Sequence, residues 1–346
     1  MTATIAIAVS GGIDSLVAGH LLKQQGFDLF GVHFLTGFER AEDNPAATAA
    51  FIGRQLGISV AVVDLSTSFR QKVVDYFTAA YRDGRTPNPC LVCNPSIKFG
   101  ALLEAVRERG ATGLATGHYA RVEKDLQNRY RLLKGVDPTK DQSYFLSRMT
   151  QDQLSQVHFP LGTWTKSAIK ALAAEAGLRP IHRQESQDVC FIGDAAGYAD
   201  FLTREMGIAS REGEIVDRSG RQLGTHQGLH RYTIGQRRGI NCPAGQPYYV
   251  LQIDAERNRL VVGFKDEQYV NACRVVDVNW ISDPPDVPMA VETRIRYRHH
   301  AAASTVYAIG SQAAEVRFEK PQAAVAPGQG AVFYRGDVVV GGGWIA

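Results

Sequence analysis

The stretch Ile5-Ala6-Ile7-Ala8-Val9-Ser10-Gly11-Gly12-Ile13-Asp14-Ser15 decides the fold. Its apolar start predicts a buried strand, and apolar residues at helical spacing predict a helix over 15–25 that closes at Gly26. The two glycines let the chain turn sharply and aim backbone N–H groups at an anion in front of the helix N-terminus. An isolated Gly-Gly turn is more often an ordinary helix cap, since Ser and Asp are common capping residues. The position directly after the first strand favours a phosphate-binding loop.

The same alternation of short apolar runs and amphipathic segments continues from Thr4 to about Gly117. It predicts strands over 28–35, 58–65 and 114–116, helices over 45–57, 69–81 and 97–110, and a loop over 83–95. This order indicates an α/β fold with a doubly wound parallel sheet, whose ligands bind at the carboxyl ends of its strands. Gly117 and His118 directly follow such a strand end.

Beyond residue 150 the pattern changes twice. Residues 151–204 read as mainly helical, with one helix over 166–176, and residues 190–193 are expected to return toward the sheet. From residue 212 onward, alternating apolar and polar residues predict short strands, among them 291–298 and a hairpin over 331–344. We therefore expect a catalytic α/β domain at 1–206, a small mixed central domain at 207–267 and a C-terminal β-barrel at 268–346.

The composition excludes several classes of protein. A chain of 346 residues with 45% hydrophobic and 21% charged residues is neither a small disulfide scaffold nor a disordered protein. No apolar run reaches the roughly 18–20 residues of a membrane helix, and the apolar N-terminus lacks the basic residues of a signal peptide, so a cytoplasmic protein is expected. Five cysteines in a reducing compartment favour metal binding or catalysis over disulfides.

The loop itself narrows the chemistry. It has neither the Lys of a Walker A loop nor the third Gly of a dinucleotide fingerprint. Asp14 can hold Mg²⁺, and Ser10 and Ser15 can donate to phosphate oxygens. The hexapeptide resembles the pyrophosphate loop (PP-loop) of the N-type ATP pyrophosphatases, which implies that ATP is split between its α and β phosphates. The resemblance implies ATP contacts at Ala8, Val9, Ser10, Gly11, Gly12, Ile13, Asp14, Ser15, Phe34 and Gly117.

Further motifs follow in order along the chain. They are Gly84–Asn94 with its Cys-Leu-Val-Cys, Ile97–Gly100, Ala115–Tyr119, Lys140–Leu146, Ser186–Gly193, Gly224–Gly228, Tyr232–Arg237 and Pro327–Gln329. As a set they resemble the tRNA-specific 2-thiouridylases over essentially the whole chain. The resemblance implies that ATP adenylates the C2 oxygen of the wobble uridine, after which a sulfur nucleophile attacks C2 and AMP leaves. It also implies a monomer that acts on glutamate, lysine and glutamine tRNAs, with sulfur supplied by a donor protein or sulfide.

Three of the five cysteines lie in these motifs. The resemblance makes Cys190 the persulfide carrier and Cys93 the catalytic thiol that completes sulfur release. Lys98 and a helix N-terminus beside Cys93 predict a lowered thiol pKa. For Cys242 and Cys273 we expect ordinary buried packing.

Cys90 stands where the family more commonly carries Asp. Together with Cys93 and Cys190 it matches a [4Fe–4S] cluster held by three cysteines, with its fourth iron open to sulfide. Persulfide chemistry through Cys190 and Cys93 stays open, as does a redox disulfide between Cys90 and Cys93. A structural zinc ion would need a fourth ligand that the motif does not supply.

The net charge of +3 is too small to indicate an RNA-binding protein, but the charged residues are unevenly distributed along the chain. Residues 81–148 hold 12 Lys and Arg against 7 Asp and Glu, and Arg294, Arg296 and Arg298 are expected on one face of a strand. Taking the target base out of its stack is expected before chemistry at C2. The resemblance implies tRNA contacts at Asn88, Pro89, Lys98, His118, Lys140, Asp141, Gln142, Arg296, Tyr297 and Gln329.

Blander interpretations remain for single residues and for the chain. Lys98 can be a solvated helix charge, and His118 a hydrogen-bonded histidine at a strand end. The chain can also be another adenylate-forming ligase with the same loop, which predicts no role for Cys93 or Cys190. A non-catalytic RNA-binding protein with a vestigial loop is the third hypothesis, and it predicts that Asp14 is dispensable.

Overall fold

A computed structural model describes residues 3–40, 43–181, 189–192, 197–207 and 210–346. The chain forms two compact units, and each draws on distant parts of the sequence. Unit 1 comprises Met1–Val73, Cys90–Phe191 and Gly336–Val340, and unit 2 comprises Val74–Pro89, Ile192–Arg335 and Gly341–Ala346. No helix among the described residues has the length and apolar character needed to cross a membrane.

A five-stranded parallel sheet forms the centre of unit 1 and confirms the predicted α/β fold. The strands of unit 1 are β1 (Thr4–Ala8), β2 (Asp28–Leu35), β3 (Val60–Asp64), β4 (Gly113–Ala115), β5 (Ala120–Lys124), β6 (Tyr130–Lys134) and β7 (Val157–His158). The parallel sheet has the order β3-β2-β1-β4-β7, with Ile5 of β1 opposite Leu29 on one side and Gly113 on the other. All three of its βα connections that were predicted from the sequence are present.

Helices of unit 1 pack against this sheet and contribute to the core of that unit. The helices of the chain are α1 (Ile13–Gln24), α2 (Pro45–Leu56), α3 (Ser66–Phe69), α4 (Asp75–Arg82), α5 (Pro89–Cys93), α6 (Leu103–Arg107), α7 (Ser143–Leu146), α8 (Gln151–Ser155), α9 (Lys166–Glu175) and α10 (Tyr198–Met206). Wider π-helical stretches at Arg70–Val74 and Asn94–Leu102 link α3 to α4 and α5 to α6. Buried Leu16 and Val17 of α1 pack with Ile52 of α2 and Ile169 of α9. This apolar layer holds the start of α1 in place.

Local sequence sets the ends of these helices. The side chain of Asn44 accepts a hydrogen bond from the Ala47 N–H at the start of α2, and Pro45 occupies the first helical position. Gly57 ends the same helix in the left-handed conformation, with φ +62°. The cap and stop signals were readable in the sequence, which is why the predicted helix over 45–57 is confirmed.

Several elements differ from the sequence-based prediction. The antiparallel hairpin β5–β6, with Arg121 opposite Leu133, lies where no element was predicted. Its turn is closed by the Asp125 side chain, which accepts from the backbone N–H groups of Gln127 and Arg129. The predicted loop over 83–95 was wrong at its end, because helix α5 already begins at Pro89. No strand is formed by the described residues 189–192, and residue 193 lies outside the described part of the chain.

Unit 2 contains two β structures. A four-stranded sheet has the order β10-β11-β8-β9 and encloses a core that includes Ile215, Val250 and Leu260. A six-stranded barrel with the order β12-β15-β14-β13-β16-β17 closes through pairing of β12 with β17, which confirms the predicted C-terminal barrel. Their strands are β8 (Gly213–Val216), β9 (Gln222–His226), β10 (Tyr249–Asp254), β11 (Arg259–Gly263), β12 (Tyr269–Trp280), β13 (Met289–Arg294), β14 (Ala302–Ile309), β15 (Ala313–Ala323), β16 (Gly330–Arg335) and β17 (Val338–Ile345).

The predicted arginine strand over 291–298 was wrong in its extent. Strand β13 ends at Arg294, so Arg296 and Arg298 lie on the turn that follows. This turn closes when the His299 N–H donates to the Arg296 carbonyl and the Arg294 guanidinium donates to the His299 carbonyl. The three arginines therefore do not share one strand face, although Arg296 and Arg298 are both exposed.

Candidate functional site

The loop between β1 and α1 has the geometry of an anion cradle. Gly11 adopts φ +79°, and a Cβ there would lie 2.9 Å from the Ile181 side chain, so only glycine fits. The Ser15 hydroxyl donates to the Gly12 carbonyl at 2.9 Å and accepts from the Ser10 N–H at 3.3 Å. Helix α1 has no side-chain cap at its N-cap residue Gly12. Its first-turn N–H groups therefore suit a phosphate group.

The neighbouring strand ends bring two further predicted residues to this edge of the sheet. A Cβ at Gly117 would lie 2.9 Å from the Asp14 carbonyl carbon and from the Ser15 nitrogen, so glycine allows the chain after β4 to touch the first turn of α1. Phe34 is half-buried near the end of β2, two residues beyond Val32, which pairs with Ala8 of β1. The predicted nucleotide residues thus gather at the carboxyl ends of β1, β2 and β4.

Asp14 is held by two side chains that the sequence analysis did not single out. The Lys166 ammonium lies 2.8 Å from both carboxylate oxygens, and the Tyr119 hydroxyl donates to Oδ1 at 2.8 Å. Lys166 is only 7% exposed and stands at the first position of α9. Its backbone N–H donates to the Asp137 carboxylate at 2.9 Å. A carboxylate is a suitable Mg²⁺ ligand by its chemistry, and here a lysine neutralises it.

The three motif thiols lie within electrostatic range of one another and of Lys98. The charge of Lys98 acts on Cys90, Cys93 and Cys190, and Cys190 acts on Cys90 and Cys93. The Cys190 side chain is exposed, whereas Cys93 is buried and Cys90 is partly so. Residues 186–188 and 193 of the Ser186–Gly193 motif lie outside the described part of the chain.

The predicted lowering of the Cys93 pKa was wrong. Burial raises the pKa of Cys93 to about 12 and that of Cys90 to about 11, and the opposing effect of Lys98 is smaller. The second predicted cause is also missing, because Cys93 lies inside a continuous helix, between α5 and the π-helical stretch from Asn94, rather than at a free helix N-terminus. Both thiols are therefore protonated at neutral pH before substrates arrive.

Side chains stabilise the irregular helix that carries Cys90 and Cys93. Pro95 has no N–H, and the helix widens to a π-helical form from Asn94 onward. The Asn94 amide donates to the Cys90 carbonyl at 3.0 Å and to the Phe145 carbonyl at 3.1 Å, while the Ser96 hydroxyl donates to the Val92 carbonyl. From α8, the Gln153 amide donates to the carbonyls of Pro95 and Phe99. The cysteine turn is thereby fixed to α7 and α8.

The thiols do not form a ready-made metal site. Within residues 3–40, 43–181, 189–192, 197–207 and 210–346, no three Cys, His, Asp or Glu side chains are arranged to hold a metal ion. The described geometry therefore does not fit the predicted [4Fe–4S] cluster, and we derive no reaction step through one. Cys242 packs against the central core of unit 2, and burial raises the pKa of both Cys242 and Cys273, as expected of packing residues.

Several predicted tRNA contacts in unit 1 have internal hydrogen bonds. His118 is buried between Phe99 and Phe159, its Nδ1 lies 2.7 Å from the Thr116 hydroxyl, and burial lowers its pKa well below the usual value. This is the arrangement of a neutral histidine at a strand end, the blander of the two interpretations. Gln142 exchanges hydrogen bonds with the backbone of Tyr119. Asp141 is buried and accepts from two backbone N–H groups, whereas Lys140 is half-buried.

In unit 2 the remaining predicted contacts fall on two surfaces. Asn88 is half-buried and Pro89 is buried in the loop before α5, and the Gln329 amide donates to the carbonyls of Thr86 and Pro87 in that loop. Arg296 is exposed, with one guanidinium nitrogen 3.4 Å from the Ala323 carbonyl, and the adjacent Tyr297 is half-buried. The motif around Gln329 thus supports the Asn88 loop from within the same unit.

Comparison with known proteins matches nearly the whole chain. Three family models cover it in order: a tRNA methyl transferase HUP domain at residues 3–194, a tRNA methyl transferase PRC-barrel domain at 199–264 and an aminomethyltransferase beta-barrel domain at 270–345. The tRNA-specific 2-thiouridylase MnmA of Desulfosudis oleivorans is 53% identical over 342 residues, which is 99% of this chain and 94% of that protein. The chain belongs to the MnmA family of tRNA-specific 2-thiouridylases.

The MnmA of Geotalea uraniireducens is 44% identical over 354 residues, 99% of this chain and 94% of its own length. Membership in the MnmA family makes the chain a tRNA sulfurtransferase with a PP-loop, as the motifs indicated. Among solved structures, the U34-tRNA thiolase NcsA from Methanococcus maripaludis with its [4Fe-4S] cluster is 18% identical. The match covers 59% of this chain and 67% of that one at a TM-score of 0.37, too low to bear on a cluster here.

Proposed function

We propose that the protein uses ATP to adenylate the C2 oxygen of the wobble uridine in tRNA and then exchanges that oxygen for sulfur. The observation that carries this proposal is the link between the phosphate cradle and the thiols. Lys98 acts electrostatically on Cys93, Cys190 and His118, and His118 directly follows Gly117, which touches the first turn of α1. The adenylation site and the sulfur site thus share one edge of the unit 1 sheet.

In the first step, the uridine O2 forms a bond to the α phosphorus and the bond from that phosphorus to the bridging oxygen breaks. Pyrophosphate leaves, and the uncapped N–H groups of α1, together with Ser10 and Ser15, stabilise its charge. Asp14 would hold Mg²⁺, which neutralises phosphate charge when bound. The predicted nucleotide contacts from Ala8 to Ser15, with Phe34 and Gly117, belong to this step.

In the second step, a sulfur nucleophile attacks C2, and AMP leaves with the former O2 oxygen of the uridine. The exposed Cys190 is suited to receive sulfur as a persulfide, whose terminal sulfur makes the attack. Cys93, which is protonated in the folded chain, loses its proton to solvent and its sulfur then attacks the Cys190 sulfur, leaving sulfur on the base and a Cys93–Cys190 disulfide that a thiol reductant must reopen. Lys98 favours the thiolate that this attack requires.

A second form of the sulfur carrier would be a [4Fe–4S] cluster on Cys90, Cys93 and Cys190, which would require these thiols to move from their described positions into a ligating arrangement. Anaerobic purification followed by iron and acid-labile sulfide analysis separates the two forms. Stoichiometric iron and sulfide that are lost in Cys90→Asp support the cluster. Full thiolation by an iron-free wild-type protein excludes it and leaves the persulfide.

The substrate contacts are proposals of the same kind. We assign tRNA binding to Asn88, Pro89, Lys98, His118, Lys140, Asp141, Gln142, Arg296, Tyr297 and Gln329, on a cytoplasmic monomer divided at 1–206, 207–267 and 268–346. Glutamate, lysine and glutamine tRNAs are the expected substrates, and a protein persulfide or sulfide is the expected donor.

The test of this function is mass spectrometry of tRNA nucleosides after incubation with ATP, Mg²⁺, a thiol reductant and a persulfide-bearing sulfur donor, with sulfide in place of that donor for the cluster form. We expect 2-thiouridine derivatives and equimolar pyrophosphate with wild-type protein, and neither with Asp14→Ala. Pyrophosphate release that persists without thiolation in a Cys93→Ser, Cys190→Ser double variant separates adenylation from sulfur transfer. Unimpaired product formation by that double variant would instead favour another adenylate-forming ligase. Failure of tRNA to stimulate pyrophosphate release would favour a non-catalytic RNA-binding protein.

A further inference from the structure

The ion pair between Lys166 and Asp14 joins two distant parts of unit 1. Asp14 lies in the first turn of α1 and Lys166 in the first turn of α9, 152 residues later in the chain. Both carboxylate oxygens lie 2.8 Å from the ammonium, and the lysine is 7% exposed. Lysine is almost never buried to this extent without a partner, so the position of its charge is specified by the fold.

The supporting contacts fix the start of α9 rather than the lysine alone. Asp137 is 8% exposed, accepts from the Lys166 N–H and is itself held by the Thr139 hydroxyl. Hydrogen bonds from Lys166 and Thr139 lower the Asp137 pKa, so this carboxylate is charged at the helix N-terminus. The Thr165 hydroxyl caps the same turn by accepting from Ala168. The Lys166 backbone is therefore held while its long side chain reaches the loop.

A buried ion pair is a poor source of stability, because desolvation of the two charges offsets most of their attraction. Its position suggests another role. The loop from Ser10 to Ser15 contains an anionic side chain but no cation, although a polyphosphate brings at least three negative charges to it. Lys166 is a cation delivered to this loop by another element of the fold. It supplies the type of charge that a Walker A loop carries within its own sequence.

We propose that Lys166 is a phosphate-binding residue of the nucleotide site and that Asp14 is its counter-ion before the nucleotide binds. On binding, the ammonium changes partner from the Asp14 carboxylate to the oxygens of the leaving pyrophosphate, and the carboxylate is released for Mg²⁺. Each charge then keeps an opposite charge before and after the exchange. The inference deepens the proposed function, on whose nucleotide site it rests.

The exchange predicts opposite effects of removing its two members. With metal-free inorganic pyrophosphate as the probe, Lys166→Met should weaken binding about tenfold or more, because the cation is gone. Asp14→Asn should strengthen binding severalfold, because the lysine no longer has a competing carboxylate. Lys166→Arg keeps the charge and should recover part of the affinity. A purely structural ion pair would weaken binding in both single variants.

Isothermal titration of each purified full-length variant, without tRNA or sulfur donor, measures these affinities. Lys170→Met is the matched control, since it removes an exposed lysine of the same helix α9, and it should bind pyrophosphate within about twofold of wild type. If Lys166→Met does not fold because Asp14 is left unpaired, the Asp14→Asn, Lys166→Met double variant removes both charges and should still bind weakly. Wild-type-like binding by Lys166→Met or by the double variant overturns the proposal. Absence of pyrophosphate and MgATP binding in wild type would instead refute the nucleotide site itself.

Discussion

Asn94 offers a direct test of how the cysteine turn is held. Its side chain is 3% exposed, and its amide donates two hydrogen bonds, to the carbonyls of Cys90 and Phe145. Asn94→Ala removes both bonds, at about 1 kcal/mol each, and leaves two buried carbonyls without that donor, at about 1 kcal/mol more. Two effects oppose this loss and together stabilise the variant by about 1 kcal/mol. Ala has a better helix propensity than Asn, and the substitution removes the buried Oδ1, which has no hydrogen-bond partner among the described residues.

The expected net loss is therefore about 2 kcal/mol, or about 4–8 °C in the thermal midpoint of a domain of this size. Asn94→Asp keeps the shape but places two acceptor oxygens where a donor is needed, so it should lower the midpoint further than Ala does. Thermal unfolding followed by circular dichroism measures both, and Ser96→Ala, which loses a single hydroxyl bond to the Val92 carbonyl, is the control for a smaller effect. A midpoint unchanged in Asn94→Ala, or an Asp variant as stable as Ala, would refute this account of the turn.

Three other predictions address the thiols, the loop and the tRNA surface. The folded chain keeps the Cys93 proton up to about pH 12, whereas the unfolded chain releases it near 9.0. The folded state therefore binds more protons between these values, and the free energy of unfolding should fall as the pH rises from 9. Urea unfolding at pH 8, 9 and 10 measures this fall, which should be smaller in Cys93→Ser. Gly117→Ala places a methyl group 2.9 Å from the Asp14 backbone, so it should cost about 1–3 kcal/mol of stability and raise the KM for ATP, whereas Gly245→Ala, with open space around it, should do neither. Arg296→Ala should reduce the slope of log affinity for tRNA against log salt by about 1, measured by filter binding, with the exposed hairpin-tip variant Arg335→Ala as control; an unchanged slope would remove Arg296 from the interface.

The parallel sheet and the barrel were predictable because their signals are local and repeated. Strand β2 spans Asp28–Leu35, as its mostly apolar sequence predicted. Helix α2 is bounded by Asn44, whose side chain caps it, and by Gly57, which can adopt the left-handed conformation because it has no side chain. The hairpin β5–β6 was missed although Asp125 marks its turn, since its strands are short and carry charged residues at exposed positions.

The site was predictable in its residues but not in its electrostatics. The loop from Ser10 to Ser15 could be recognised from its spacing after β1. The pKa of Cys93 could not, because it depends on how much apolar protein surrounds the thiol after folding, and this desolvation outweighs the visible Lys98. Lys166 was not recognised for a related reason: nothing in its local sequence shows that α9 will place its first turn against Asp14. Contacts of this kind join residues far apart in the sequence, so they become visible only when the fold is known.

The unequal exposure of the three thiols determines which of them is oxidised first when the protein is exposed to oxidants. Oxidation by peroxide needs both access and thiolate, and Cys90 and Cys93 are shielded from it by burial and by their raised pKa. Burial raises the pKa of Cys190 as well, but Cys190 is the exposed thiol of the three, so sulfenic and then irreversible sulfinic acid would form there first. Damage would thus fall on the side chain that is proposed to accept sulfur, while the two helix thiols stay chemically intact inside an otherwise folded protein.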